Sequence, residues 1–506
     1  MLKFAAMLKE IDTVKLIFGL KVHQLRQEQD LSYQQLSDRT GLAISYLHNI
    51  EKGKKYPKAD KILALARALD TEYNYLVSLD ADKRLKPIID LIHSDFLKIF
   101  PLELFGINTP KLIELLSVTP DKVNAFISTV IKIVRNHHLQ GEDFYKAALR
   151  SYQDLHDNYF DDLEQAVRDF KSANQLKQQT GITAPELEQL LHKNFGVTTD
   201  RDFLSSRSDL MEVRSYYSVK NKTLYLNSGL SSAQENALLG KEIGFQFLQL
   251  GERPYETRMI EVDSFDKLLN NFKASYFSVA LLMDEQEMID DIETMASWRI
   301  WNAEAFLKLF AKYEVTSEML IQRLANLLPR HFDIQDLFFL RFFARPDLQK
   351  FEMTKEIHLS QLHTPHANQL DEHYCRRWIS INLIRQLKAQ QGISNTEGPI
   401  AGAQISRYWG TPNAYLCITI AKPSHTDRDN SSSVTIGLLV NDKLKRLFRF
   451  LNDPNLVAKD VHTTCERCGI SDCGARAVPP TVLQHHRQKE TIRATLEELE
   501  RHRVEG

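Results

Sequence analysis

Apolar residues recur along this chain with two different spacings, and each spacing marks a different kind of element. Over residues 1–80 they fall three and four apart in short runs, the pattern of small packed helices. GLKVHQLRQEQ continues a stripe from Ile17 through Leu20, Val22 and Leu25. Ser32 stands as N-cap before YQQLSDRT, Gly41 closes that helix, and Leu42 fills the space under the turn. ISYLHNIEKG turns Leu47 and Ile50 inward, leaves Ser45, Tyr46, His48, Asn49 and Lys52 outward, and ends at Gly53. Ile62, Leu65, Ala66 and Leu69 define a fourth helix over Ala59–Leu69. The helical pattern persists from about Asp82 to Lys177, in DKVNAFISTVIKIVRNHH and YFDDLEQAVRDFKSANQLKQQ. Around Val213–Asn227 the spacing becomes two: RSYYSV and TLYLN flank Lys220, Asn221 and Lys222, which predicts a β-hairpin. Helices resume from Ala233 to Leu328. Beyond them Leu337–Ala344, Ala414–Ala421 and Val434–Val440 predict buried strands, with a polar loop between His425 and Ser433. TIRATLEELERHR predicts a polar helix at the end.

At 506 residues the chain exceeds what one hydrophobic core organises, so several domains are expected. We divide it into 1–80, 81–177, 178–330 and 331–506. The fold class expected is mainly α with an α+β region in the later part. The net charge of −2 means that any nucleic-acid surface must be local. No stretch approaches the roughly 20 apolar residues that cross a bilayer. The opening MLKFAAMLKEIDTVK meets Lys9, Glu10 and Asp12 too early for a signal-peptide core, so an amphipathic leader helix and a cytoplasmic protein are expected. The odd set Cys375, Cys417, Cys465, Cys468 and Cys473, three of them crowded together, reads as a ligand cluster in a reducing compartment.

A helix, a short Gly-containing turn and a second helix with a small polar face is the geometry that presents side chains to the major groove. Asn49 can bond adenine bidentately, and Ser45 can reach almost any base. Tyr46 and His48 share that face. Lys52, Lys54, Lys55 and Lys58 form a basic rim for phosphates, and Gln34 can add a phosphate contact beside the local helix amides. The run from Gln24 to Asp70, with Glu51, Gly53 and Pro57 in an E-x-G-x-x-x-P ending, closely resembles the XRE/lambda-Cro-type helix-turn-helix.

Leu239-Gly-Lys-Glu-Ile-Gly-Phe245 sits on a predicted helix where a zinc peptidase of the H-E-x-x-H type would hold its metal. The two ligand positions are Lys241 and Phe245, a competing cation and a side chain without a donor atom; Glu242 alone remains. The hairpin followed by this helix resembles an ImmA/IrrE-type metallopeptidase domain with substituted ligands, and an ordinary amphipathic helix is the alternative.

Cys465, Cys468 and Cys473 form C-x2-C-x4-C. Thiolates this close repel unless a metal holds them, and a fourth ligand must come from elsewhere. Cys375 in HYCRRW is the leading candidate, His462 and His373 would favour zinc, and Cys417 in an apolar strand reads as a small buried hydrophobe. Spacing leaves zinc and iron–sulfur both open.

The three signatures in this order, with AALRSYQDLHDNYFDDLEQAVRDF between the first two, resemble the short-chain fatty-acyl transcriptional regulators. The resemblance covers essentially the whole chain, loosely from Leu337 to Ser433. It implies a lambda-repressor-like helix-turn-helix bundle, a helical coupling and dimerisation region, a degenerate zincin-like domain and a mixed α/β sensor domain with a cysteine cluster. It further implies a homodimeric regulator without enzymatic activity that binds double-stranded operator DNA and senses short-chain acyl-CoA. Its 4Fe–4S cluster would rest on Cys375, Cys465, Cys468 and Cys473. Arg376 and Arg377 between Cys375 and Trp378 depart from the family pattern, in which Pro follows the cysteine. Arg150, Tyr152, Tyr159 and Phe160 are candidates for the acyl-CoA site, or packing residues of a helical bundle. Two rivals stand beside this reading: a metallopeptidase acting on a partner protein, and a metal- or redox-responsive regulator without an acyl ligand.

Overall fold

The computed structural model describes residues 13–78, 141–176, 181–257, 262–345, 347–348, 350–359, 372–393, 398–423 and 430–504. The leader before residue 13 and the stretch containing DKVNAFISTVIKIVRNHH lie outside the described residues. The chain divides into two compact units, residues 1–152 with 262–265, and residues 153–261 with 266–506.

In the first unit α1 (Thr13–Glu28), α2 (Tyr33–Thr40), α3 (Ile44–Glu51), α4 (Ala59–Ala68) and α5 (Tyr73–Val77) follow one another, α5 being a helix the periodicity did not reveal. Phe18, Val22, Leu36, Leu47, Ile50, Ile62, Leu65 and Leu69 form one buried core. Ser32 caps α2 through a reciprocal capping box with Gln35, and Gly41 ends it at φ 68° in the left-handed region. A Cβ on Gly19 would stand 2.3 Å from the Ile50 carbonyl oxygen, so glycine there lets α1 and α3 cross at contact distance. Lys21 is fully buried and donates to the carbonyls of Tyr75 at 2.7 Å and Ser78 at 2.8 Å, anchoring the end of α5 to α1. The helix α6 (Gly141–Leu155) follows.

The second unit continues with α7 (Asp161–Ala173), α8 (Ala184–Phe195), β1 (Thr198–Asp200), β2 (Ser215–Ser218), β3 (Thr223–Leu226), α9 (Ser232–Phe247) and β4 (Glu256–Thr257). The predicted hairpin is the antiparallel β2–β3 pair, within a sheet ordered β1-β3-β2-β4. Four helices follow: α10 (Phe265–Leu282), α11 (Glu285–Ser297), α12 (Ala303–Ala311) and α13 (Ser317–Phe332). The fully buried Arg323 of α13 holds Glu164 of α7 through both terminal guanidinium nitrogens, and the Tyr276 hydroxyl donates to the same carboxylate at 2.8 Å. Burial pulls the Arg323 pKa down, but the charge and hydrogen bonding of Glu164 outweigh it and raise the value overall.

The remainder folds as β5 (Leu337–Ala344), β6 (Phe351–His358), α14 (Ile379–Ile393), β7 (Ile400–Tyr408), β8 (Ala414–Pro423), β9 (Ser431–Leu439), α15 (Asp442–Leu447), β10 (Ala458–Val461) and α16 (Thr481–Val504). The three predicted strands are β5, β8 and β9, and β9 begins at Ser431, inside what the sequence offered as loop. They lie in a six-stranded sheet ordered β10-β7-β8-β9-β5-β6, antiparallel except for the β10–β7 pair. Phe338 pairs across from Gly437, whose Cβ would meet the ring at 2.1 Å, so glycine makes room for the aromatic side chain. That ring joins Trp378 and Ile384 in the core under α14. No helix among the described residues is long and apolar enough to cross a membrane.

Candidate functional site

On α3, Leu47 and Ile50 are fully buried, while Ser45 and His48 are exposed and Tyr46 and Asn49 half-buried. The amides of Lys54 and Lys55 both donate to the Asn49 carbonyl, at 2.9 and 3.1 Å, folding the basic loop back onto the end of α3. Among the described residues no hydrogen bond engages the Asn49 carboxamide, so both its donor and its acceptor remain free for a base edge. The Lys55 and Lys61 ammonium groups lie 5.7 and 4.5 Å from the Tyr46 ring centroid, which gathers cations beside the reading face. Gln34 is exposed on α2 and donates to Asp38 at 2.9 Å.

A polar knot that the sequence did not disclose fixes α3 from behind. Glu51 is buried and accepts from Arg26 Nε at 2.7 Å, Arg26 Nη2 at 2.9 Å and the Tyr33 hydroxyl at 2.8 Å. His23 Nδ1 lies 2.7 Å from the same carboxylate. Arg26 also donates to the Leu31 carbonyl at 2.9 Å, and its guanidinium stands 4.1 Å from the Tyr33 ring centroid. One carboxylate thus ties α1, α2 and α3 together. The only hint in the sequence is the E-x-G-x-x-x-P ending, which names Glu51 but none of its partners.

In the second unit, Gly240 and Gly244 let α9 lie against α10, since Cβ atoms there would meet Ser278 Oγ at 2.6 Å and the Ala274 carbonyl at 3.0 Å. Glu242, on the same helix, is buried and bonded to Arg253, whose Nη1 donates at 2.9 Å and Nη2 at 2.5 Å, while Gln246 donates at 2.7 Å. The Arg253 guanidinium stacks 3.7 Å from the Phe245 ring centroid. Burial, with Arg253 nearby, pushes the Lys241 amine down to about 8. A cavity of about 10 Å³ remains between these groups, room for about one water molecule. The residues do not fit zinc. Neither Phe245 nor a protonated Lys241 offers a donor, and the single carboxylate already holds a cation.

Two stretches match known protein families: residues 22–76 match a helix-turn-helix domain, and residues 195–325 an IrrE N-terminal-like domain. The uncharacterized HTH-type transcriptional regulator YobD of Bacillus subtilis (strain 168) is 32% identical over 90 residues, which cover 16% of this chain and 80% of that protein. The chain belongs to the HTH-type transcriptional regulators. A solved Mycobacterium tuberculosis transcriptional regulator aligns at 15% identity with a TM-score of 0.46, over 65% of this chain and 93% of that one. The helix-turn-helix of the regulator implies DNA binding, and α2–α3 is the element that would enter the groove.

None of the five cysteines of the regulator is paired in a disulfide. Tyr374 bridges to Thr464, the Cys375 amide donates to the Thr463 carbonyl at 3.0 Å, and the Cys465 amide to the His373 carbonyl at 2.8 Å. This pairing fastens Cys375 beside the loop that carries Cys465 and Cys468; all three are buried, while Cys473 is partly exposed. Burial pushes the Cys375 thiol up to about 11, and Cys465 and Cys468 add to the shift. Backbone amides of His462 and Ala477 approach Cys375 Sγ and Cys465 Sγ at 3.5 Å. Arg476 donates to the carbonyls of Cys465 at 3.0 Å and Cys468 at 3.3 Å, and to that of Ile470. Buried sulfurs with amide donors have the chemistry of a thiolate site. Even so, no group of three or more His, Cys, Asp or Glu among the described residues lies close enough to hold a metal ion. His373 is engaged by Glu466 at 2.8 Å, and His462 contacts the Thr463 hydroxyl at 3.2 Å. Cys417 is buried in β8, and burial pushes its thiol up to about 12.

The four acyl-site candidates do not fall in one unit. Arg150 and Tyr152 lie on α6 in the first. Tyr159 and Phe160 lie in the second, where the Tyr159 hydroxyl donates to Glu285 at 2.5 Å and the Phe160 ring packs 5.2 and 5.4 Å from Phe272 and Tyr276.

Proposed function

We propose that the chain is a sequence-specific bacterial regulator, dimeric on an inverted repeat, whose second unit senses short-chain acyl-CoA and carries an iron–sulfur cluster without peptidase activity. The observation that carries the DNA reading is the free Asn49 carboxamide on a helix with a lysine loop folded against its end. Support for the sensor lies in the resemblance of the chain to acyl-responsive regulators and in the strand pairing that brings Cys375 to the C-x2-C-x4-C loop. Cys375, Cys465, Cys468 and Cys473 would hold the cluster, with zinc the alternative metal. When bound, a cluster supplies either one-electron chemistry or a structural cross-link. Arg476 and the amides of His462 and Ala477 would position the thiolates. Of the four acyl-CoA candidates, Tyr159 and Phe160 lie in the second unit and remain the residues proposed for the ligand there. The hold of Arg253 on Glu242 argues against metal-dependent proteolysis.

The test is purification without oxygen, followed by the visible spectrum, iron content and thermal unfolding with and without propionyl-CoA. A brown protein with about four irons per chain and a raised melting temperature is expected. A colourless protein indifferent to acyl-CoA overturns the sensor model.

A further inference from the structure

A second cleft of 400 Å³ opens in the second unit, lined by Arg376, Arg377, Asn382, Arg407, Lys459 and Asp460 among others. Four cationic residues and one carboxylate line it, and Arg407 Nε donates to that carboxylate, Asp460 Oδ1, at 2.8 Å. Arg377 donates to the Asp460 carbonyl at 3.3 Å, which orients its guanidinium at the cleft without neutralising it. Arg376 is 8% exposed, its guanidinium 4.5 Å from the Phe351 ring centroid. With four cationic residues and one acidic residue in its lining, the cleft carries a net positive charge that favours an entering anion.

The topology places the same demand there. The strands β7 and β10 are the parallel pair of the six-stranded sheet, with Arg407 in register with Asp460, next to the last residue of each. Arg376 and Arg377 lead directly into α14, and Asn382 stands in its first turns. The cleft therefore lies near the carboxyl ends of this parallel pair and beside a helix N-terminus, whose free amides favour an anion. We propose that it binds a small phosphorylated molecule through a pyrophosphate or a pair of phosphate groups. Its volume suits a nucleotide-sized ligand rather than a lone ion. The proposal stands whether or not that molecule carries an acyl chain.

Calorimetric titration of the full-length protein with inorganic pyrophosphate, coenzyme A and adenosine tests it. Pyrophosphate and coenzyme A are expected to bind with an affinity that falls as salt rises, and adenosine not to bind. The R407Q/K459Q double variant, changed at the cleft rim, should lose about tenfold in affinity for each charge removed while melting like wild type, and R377Q should repeat the loss. Binding of pyrophosphate alone assigns recognition to the phosphates. Binding of coenzyme A alone requires the whole nucleotide and supports the proposal if R407Q/K459Q abolishes it. Absence of binding by both, equal affinities in wild type and variants, or a variant that loses only DNA affinity overturns it.

Discussion

Desolvation of the Glu51 carboxylate would raise its pKa, but hydrogen bonds from Arg26, His23 and Tyr33 outweigh it and hold the group below its ordinary value of 4.5. The native state of the first unit therefore binds fewer protons here than the unfolded chain as pH falls toward and below 4.5. The stabilisation is complete above that value and is lost as pH drops through the depressed native pKa. Glu51→Gln leaves the Arg26 guanidinium, which is 5% exposed, without its counter-charge and should cost about 3–5 kcal/mol. Thermal unfolding followed by circular dichroism at a series of pH values checks both halves of this expectation. The variant should melt earlier at pH 7, and its stability should vary less with pH in the acid range. Equal melting of the two proteins at pH 7 would show that the knot contributes nothing. Such a residue is hard to read in advance, because its partners sit 18 to 28 positions away and only the packing of three helices brings them together.

Among elements, α9 of the IrrE N-terminal-like stretch shows how a helix seats a buried carboxylate against its neighbours. The two glycines that seat it against α10 are present, as is the carboxylate, and a guanidinium satisfies the charge that a metal would otherwise balance. Arg253→Met should destabilise the second unit by about 3–5 kcal/mol, because it strands a buried carboxylate. Replacing both partners by apolar residues, Arg253→Met with Glu242→Leu, should recover most of that loss. Chemical denaturation of the single and double variants measures the coupling, and a double variant as unstable as the sum of two damaging singles would refute the pairing. The helix and its hairpin were legible from local pattern. Arg253 was not, since it lies in a loop eleven residues beyond its partner and no periodicity selects it. The same limit explains the later sheet. Strands β5 and β8 and the later half of β9 are largely apolar runs and announce themselves, whereas the three serines that open β9 read as loop. The edge strands β6 and β10 alternate with polar residues or are short, and β7 carries Gly402, Gln404 and Ser406 among its apolar positions. The cysteine pairing depends on a bridge between segments 90 residues apart, which spacing cannot reveal.

For the whole molecule, a net charge of −2 sets the terms on which DNA is met. The chain as a whole offers no net attraction to a polyanion, so affinity must be local; the lysines beside α3 are its expected source, and the salt dependence should count them. Lys54 and Lys55 are exposed, and their amides are fixed to the end of α3, so their ammonium groups are available to phosphates flanking it. Changing both to alanine should weaken binding to every duplex alike and lower the slope of log affinity against log salt by about 0.9 for each phosphate left without its cation. Asn49→Ala belongs to the other class of interaction. It removes a free carboxamide and no charge, so it should leave the salt slope and non-specific binding unchanged while costing about 1–3 kcal/mol at the preferred site. Fluorescence anisotropy with a selected operator and a scrambled duplex, each over a range of potassium chloride, separates the two effects. If Asn49→Ala loses equally on both duplexes, the carboxamide is not reading a base. If Lys54→Ala/Lys55→Ala leaves the slope intact, the phosphates are held elsewhere and α3 approaches DNA by another face.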